Sequence, residues 1–312
     1  MPPEADRDAG QELAMRRIVV GAGPQPQALD AARLADILAS ISRAEVTLVA
    51  IEPLGPTATM HETEAKVEAR LRSLETRMAA RTRTAVERDL FVARGLARVA
   101  LREHADLIVL GSSRHAAEGR VRIGARVRQL LADAYCSLAV APRGLGSHAP
   151  RRLTAIGVGY DGSTGSREAL RQAEWLARAA DARLRVRAVA DDRLPYAGWT
   201  PTGDEGVNDL WDAAVAPNVE WLRTSAEEAI AGDRTDVLVE VRPGSPPEEL
   251  SALSREVDLL VIGSGRLGAP VPRPAATAEE LMRQARCAVL LVPSRSAAPD
   301  AQPATRESRE RV

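Results

Sequence analysis

The sequence predicts an α/β chain made of a duplicated domain, two tandem copies of a parallel sheet covered by helices. Three observations carry this. The stretch ADLIVLGSSR at residues 105–114 returns as VDLLVIGSGR at 257–266. Each is a short aliphatic run behind an aspartate and ends in Gly-Ser, the pattern of a buried parallel strand whose C-terminal end meets ligands. Each copy leads through a loop and a helical pattern into a second aliphatic strand opening with cysteine, CSLAVAP at 136–142 and CAVLLVP at 287–293. The spacing also repeats. Asp30-Ala31-Ala32-Arg33 aligns with Glu168-Ala169-Leu170-Arg171 at an offset of 138, and Asp106 with Asp258 at 152. The second copy thus holds about 14 more residues, most naturally within 191–218. Strands that alternate with helical stretches imply right-handed βαβ units.

Residues 1–15 are expected to form a disordered tail. RRIVVGAG, 16–23, opens the first domain as a strand. Residues 24–27 read as a loop in which Pro26 blocks an early helix start, so the first helix is expected from Ala31, with Ala31, Leu34, Ala35 and Leu38 on one face. EVTLVAI, 45–51, is the second strand, and Pro53, Gly55 and Pro56 break the chain after it. Thr59 and Glu62 have capping-box spacing, and Val67, Leu71, Leu74 and Met78 form a helical stripe. A weakly patterned strand lies within 85–92 and a short helix over 96–104. The Leu107 strand, a loop after Gly111, a helix over 124–134 and the Cys136 strand complete the copy. GLGSHAP, 144–150, has the composition of a linker, so the domains are placed at 16–143 and 152–294 with a linker over 144–151.

The second copy repeats this order. A strand over 153–160 is followed by the turn Asp161-Gly162-Ser163 and a helix over 166–180 with Ala169, Leu170, Ala173 and Leu176 inward. Next come a strand over 184–189 and a long segment, 191–218, that contains Tyr196, Trp199 and Trp211. A helix over 219–231, a strand over 237–241 and a helix over 247–256 precede the Leu259 strand. Residues 295–312 are polar and expected to be a disordered tail.

At 312 residues the length fits two domains, each large enough for its own core. Apolar content of 45% with 27% charge is ordinary globular composition. The net charge of −1 provides no field that would draw the chain to nucleic acid or anionic membrane. Lys66 is the sole lysine among 42 basic residues, which reads as the codon bias of a GC-rich genome. The two cysteines, 151 positions apart, make no disulfide framework and read as buried thiols in a reducing cytosol. The first 15 residues lack the apolar core of a signal peptide, and no run approaches the roughly 20 apolar residues of a membrane span. The expected location is the cytoplasm.

The segments YDGSTGSREALRQAEWLA, VRPGSPPEELSALSREVDLLVIGS and ARCAVLLVP of the second half resemble the universal stress protein family. The first half resembles it through ADLIVLGSS and LLADAYCSLAVAP. The resemblance implies two Rossmann-like domains of the adenine nucleotide alpha hydrolase type, each a five-stranded parallel sheet flanked by helices. It also implies a role in stress response. Some family members bind ATP and others do not. Those that do carry an aspartate at the end of the first strand and a loop of the form G-x2-G-x9-G-[ST] after the fourth. Glycine there lets backbone N–H groups approach phosphate, and the following helix offers its N-terminus.

Each half keeps part of that pattern. In the first, Gly111 and Gly124 stand at the right spacing with Ser112 and Ser113 beside them, Arg114 replaces the second glycine, and Gly23 occupies the aspartate position. In the second, Asp161, Gly263 and Ser264 are present and Arg266 replaces the second glycine. The last glycine falls at Ala275 or Ala276, and Pro270, Pro272 and Pro274 remove three N–H donors. Arg114 and Arg266 can supply a guanidinium to phosphate or point to solvent, and Asp161 can hold a ribose or adenine or make an Asx turn. The resemblance therefore admits ATP as a ligand, and the surviving backbone donors place it in the first half, at Gly111 to Ser113 and Gly124, leaving the second half empty or nearly so.

Three readings compete. The first is a non-catalytic stress-response module with a degenerate ATP or nucleotide site. The second is a ligand-free scaffold acting through a protein partner that the sequence does not name. The third is a small α/β hydrolase or dinucleotide-binding enzyme. Gly21-x-Gly23 with Glu52 invites the dinucleotide reading, but Pro26 stands where the third glycine belongs. Ser112, Ser113 and His115 are the candidate catalytic groups near the loop, without an assignable partner acid. His61, His104, His115 and His148 lack metal-site spacing, so no metal is expected. In this family domains pair through the last strand. The Cys136 and Cys287 strands are thus expected to meet across a pseudo-twofold axis within the chain, both thiols free, with a homodimer of whole chains left open.

Overall fold

The computed structural model describes residues 15–54, 63–124, 130, 136–148, 152–191, 216–230, 236–263 and 274–293. Ten strands form one sheet in the order β3-β2-β1-β4-β5-β10-β9-β6-β7-β8. The first half supplies β1 (Arg17–Gly21), β2 (Glu45–Pro53), β3 (Thr82–Asp89), β4 (Leu107–Gly111) and β5 (Ser137–Ala141). The second supplies β6 (Ala155–Tyr160), β7 (Arg183–Asp191), β8 (Val237–Gly244), β9 (Leu259–Gly263) and β10 (Ala288–Val292). The helices are α1 (Gln27–Ser42), α2 (Glu64–Glu75), α3 (Val92–Arg102), the single turn α4 (Leu145–His148), α5 (Thr164–Ala180), α6 (Ala216–Ala229), α7 (Pro246–Leu253) and α8 (Pro274–Gln284).

Strands within each half are parallel, and the register repeats. Arg17 faces Glu45 as Ala155 faces Arg183, and Ile18 faces Leu107 as Ile156 faces Leu259. Between the halves the pairing reverses. β5 and β10 run antiparallel, Val140 opposite Val289 and Leu138 opposite Leu291, so the two last strands join the copies across a pseudo-twofold axis. Both cysteines are free, as the sequence leads one to expect.

The repeated aspartate explains part of this register. Asp106 Oδ2 accepts the N–H groups of Arg16 (2.7 Å) and Arg17 (2.9 Å), and Asp258 Oδ2 accepts those of Thr154 (2.7 Å) and Ala155 (3.1 Å). In each half one carboxylate thus pins the start of the first strand to the start of the fourth. The central strands are apolar because helices cover both faces. Helices α1, α2, α5 and α6 pack on one face, and α3, α7 and α8 on the other. The fully buried Leu34 and Leu38 of α1 and Leu170 and Leu176 of α5 each contribute roughly 2 kcal/mol by leaving water. Helices α1 and α5 end alike, with Arg43 (φ 58°) and Asp181 (φ 53°) in the left-handed conformation that turns the chain into the next strand.

Several elements differ from the sequence reading. Pro26 does not delay the first helix. It sits at the helix N-cap with φ −54° and ψ −27°, and α1 begins at Gln27, because a proline costs nothing where its N–H would have no helical partner. The stripe of α2 ends at Leu74, and Met78 packs on the same core from beyond the helix. Thr59 and Glu62 lie outside the described residues, as does most of the helix expected over 124–134. β3 starts earlier than expected and α3 begins at Val92. The expected linker is folded in part. Asp30 of α1 accepts the N–H groups of Gly144 (3.1 Å) and Gly146 (2.8 Å), and α4 forms there, a Cβ on Gly146 meeting Leu29 of α1.

Candidate functional site

The C-terminal ends of β1 and β4, and of β6 and β9, are where the sequence places ligands. The glycines that close β4 and β9 are crowded. A Cβ on Gly111 would lie 2.1 Å from the carbonyl oxygen of Gln27, and one on Gly263 would lie 2.7 Å from the carbonyl carbon of Gly165. Gln27 and Gly165 are themselves 138 positions apart, so one contact is built twice. Each glycine lets the first turn of α1 or α5 cross the strand end.

After Gly111 the first-half loop folds on itself. Ser112 N–H donates to Ala141 O (3.0 Å) and Ser113 N–H to Arg122 O (2.8 Å). The buried Ser112 hydroxyl accepts Arg122 N–H (2.7 Å) and donates to Arg122 O (3.2 Å). Ser113 Oγ accepts the His115 N–H at 3.4 Å. Gly119 N–H donates to Arg143 O (2.9 Å), Arg143 N–H to Arg120 O (3.1 Å), and Val121 N–H crosses to Ala285 O of the second half (2.9 Å). Val121 and Ile123 are buried in the core that contains Leu281, Met282 and Ala285. The loop is therefore a strap between the halves, and the donors assigned to phosphate at Ser112 and Ser113 already have partners.

Gly124 ends the strap half-buried, and a Cβ there would meet nothing within 4 Å. The same holds for Gly23, so a side chain fits at the position where the family's binders place the aspartate. Arg114 is exposed, and its Nε lies 3.1 Å from His115 Nε2.

In the second half the exposed Asp161 makes an Asx turn. Its Oδ1 accepts Ser163 N–H (3.0 Å), and Gly162 takes φ +76° beneath Trp221, whose Cη2 would lie 2.3 Å from a Cβ there. Ser163 caps α5 by accepting Ser166 N–H (3.1 Å), and Arg167 Nε donates to Gly162 O (3.2 Å). Ser264, Arg266, Pro270 and Pro272 lie outside the described residues. Ala275 and Ala276 both fall in the first turn of α8. Arg122 and Arg143 escaped the sequence reading, because nothing local distinguishes them from the chain's many other arginines.

The cysteines are poor nucleophiles. Burial, with Asp106 adding to it, pushes the Cys136 thiol up to about 12, and burial likewise raises Cys287. Among the described residues no helix is long and apolar enough to cross a membrane, and no group of three His, Cys, Asp or Glu is placed to hold a metal ion.

The family model for universal stress proteins matches this chain twice, over residues 15–142 and 153–293. The chain belongs to the universal stress protein family. Solved structures of similar fold include a universal stress protein from Pseudomonas aeruginosa UCBPP-PA14, 15% identical, covering 91% of this chain and 95% of that one at a TM-score of 0.62. A functionally unknown protein from Pseudomonas aeruginosa PAO1 is 16% identical over 91% and 95% at 0.65. A universal stress protein from Archaeoglobus fulgidus DSM 4304 is 12% identical over 90% and 98% at 0.58. No curated protein matches the sequence. As a tandem universal stress protein, the chain carries its two Rossmann-like units in one sheet.

Proposed function

We propose that this protein is a non-catalytic stress-response module of the cytoplasm in which the nucleotide site is degenerate. The observation that carries the reading is the closed strap. Ser112 and Ser113 direct their N–H groups, and Ser112 its hydroxyl, to backbone partners within the fold. A phosphate would have to displace those bonds, and leaving a buried carbonyl without a donor costs about 1–3 kcal/mol. Gly23 adds no carboxylate for a ribose, and in the second half the Asp161 Oδ1 is turned to its own backbone. For turnover, a base and an activated nucleophile must lie together. Ser112 is held by Arg122 and both thiols are raised, which supports the absence of chemistry.

The experiment is mass spectrometry of the gently purified full chain, with a steady-state ATP hydrolysis assay on the same material. The reading expects less than one nucleotide per chain and no hydrolysis above background. A stoichiometric nucleotide retained through purification, or a hydrolysis rate abolished by Ser112→Ala, would refute it.

A further inference from the structure

A cavity of about 220 Å³ opens beside the end of α3, at the opposite end of the strands from the loops after β1 and β4. It is lined by Arg17 of β1, Glu45 and Thr47 of β2, Arg83 of β3 and Glu103, the residue that follows α3. The parallel register gathers the strand residues, since Arg17 faces Glu45 and Thr47 faces Arg83. The charges in it are unevenly used. Glu45 is neutralised, its Oε1 by Arg81 (3.1 Å) and its Oε2 by Arg83 (3.0 Å). Glu103 accepts the hydroxyl of the buried Thr47 at Oε2 (2.9 Å), and among the described residues no arginine pairs with its carboxylate. Arg17 Nη1 donates to the backbone carbonyl of Glu103 (2.8 Å), and among the described residues its guanidinium pairs with no carboxylate. One cation and one anion thus line the same cavity without pairing to each other, and each has hydrogen-bonding capacity to spare.

The second half shows what the equivalent space can hold. At the position 138 residues after Thr47, β7 carries Arg185. Its guanidinium bonds to Glu256, just beyond α7, and to Glu240 of β8 (3.2 Å). The second half therefore places a guanidinium between carboxylates beside the end of its helix. The first half stops the side chain at a threonine hydroxyl, leaves the volume open and keeps a carboxylate at Glu103. Ala155 stands at the position of Arg17, so the first half alone adds a second charge of opposite sign.

We propose that this cavity binds a small guanidino acid, its guanidinium on Glu103 as Arg185 sits on Glu256, and its carboxylate on Arg17. Guanidinium and carboxylate match each other in geometry as well as charge, and the site offers one of each. The volume is below the roughly 300–1,000 Å³ of drug-sized sites and suits a solute the size of one amino acid. The proposal does not rest on the reading of the loop after β4, which lies at the other end of the sheet.

The test is calorimetric titration of the full chain, at low ionic strength, with L-arginine, L-citrulline and agmatine. L-Arginine should bind with a Kd of about 1 mM or tighter. L-Citrulline, which replaces the guanidinium by a neutral urea, and agmatine, which lacks the carboxylate, should each bind at least about tenfold more weakly, the loss of one charged hydrogen-bonded pair. Glu103→Gln keeps the side chain's shape and should weaken L-arginine by about tenfold, and Arg17→Ala should do the same. Glu68→Gln, removing an exposed carboxylate of α2, should leave the affinity unchanged. Thr47→Arg, which gives the first half the second half's own guanidinium, should abolish binding, with thermal denaturation to show that the variant is folded. If it is not folded, Glu103→Gln decides. Silence with L-arginine, equal affinity for L-citrulline or agmatine, unaltered affinity in Glu103→Gln, or equal losses in Glu103→Gln and Glu68→Gln would each overturn the proposal.

Discussion

The two halves share a fold but not the chemistry packed into it. Val49 of β2 lies in the core beneath α3, among Leu96 and Val99. At the position 138 residues later, β7 carries Arg187, only 3% exposed, bonded to Glu240 and to Glu249 of α7, both at 2.9 Å. A methyl-lined contact in one half is an ion network in the other. The Asp106 and Asp258 clamps, the Gly111 and Gly263 crossings and the left-handed ends of α1 and α5 are held in common. The fold thus depends on a few contacts between backbone and helix ends, while core positions tolerate opposite solutions. Beyond those contacts, after β4, the first half closes a strap on its own backbone.

The largest effect should come from the shared crossings. Gly111→Ala drives a methyl into a backbone carbonyl and should cost about 3 kcal/mol or more, and Gly263→Ala, less crowded, about 2 kcal/mol. Thermal denaturation reads both. Equal and negligible losses would show that the crossings do not set the fold.

The second test addresses the ion network. Glu240→Ala leaves Arg187 with one partner and its buried Nε still without one, and should cost about 2 kcal/mol. Arg187→Leu, which imports the first half's solution, should cost less than about 1 kcal/mol because Glu240 and Glu249 can turn to water. Chemical denaturation of the two variants decides, and the reverse ranking would contradict the comparison.

Acid titration gives a smaller effect with a defined sign. Hydrogen bonds from Arg94 and the Phe91 amide hold Asp89 below the usual aspartate range, against the cost of burial. Burial pushes Glu240 up, but hydrogen bonds from Arg187 and Arg242 outweigh it and leave the group below the usual glutamate range. Both contribute stability that is present above their unfolded values, about 3.9 and 4.3, and lost as pH falls through the lower folded ones. Asp30 has the opposite sign. Burial raises it, so its contribution is complete below about 3.9 and is lost as pH rises through its folded value. In melting curves taken across pH, Asp89→Asn should flatten the loss of stability in acid, and Asp30→Asn should steepen it.

How much of this was legible follows from where each signal lies. The repeated aliphatic runs and their cysteine-led partners announced the strands and the duplication, because buried parallel strands write themselves as uninterrupted apolar runs, whereas the antiparallel β5–β10 junction was expected from the family resemblance. β3 was faint because it is an edge strand, TRTAVERD, whose Arg83 and Arg88 pair with Glu45 and Glu52 of β2 instead of filling a core. Gly144 and Gly146 read as linker because their partner, Asp30, lies more than a hundred residues away. Gly111 was visible as a glycine, but its contact with Gln27, whose carbonyl a Cβ there would strike, was not. The turn at 114–116, gripped by Arg143 through the Ala116 carbonyl, was invisible, since Arg143 reaches it only after β5 brings it back.

The smallest effects should come from two glycines with open space around them. Gly23→Asp and Gly124→Ala meet no neighbour and should shift stability by less than about 0.5 kcal/mol. A larger loss from either would mean that the site is packed and not vacant.

The central claim is that the loop after β4 is a closed strap and not an open cradle. Amide hydrogen exchange on the full chain tests it directly. The account predicts that the Ser112, Ser113 and Val121 amides, bonded to Ala141, Arg122 and Ala285, exchange as slowly as those of β4. Rapid exchange at Ser112 and Ser113 while β4 stays protected would contradict it and return those donors to a phosphate.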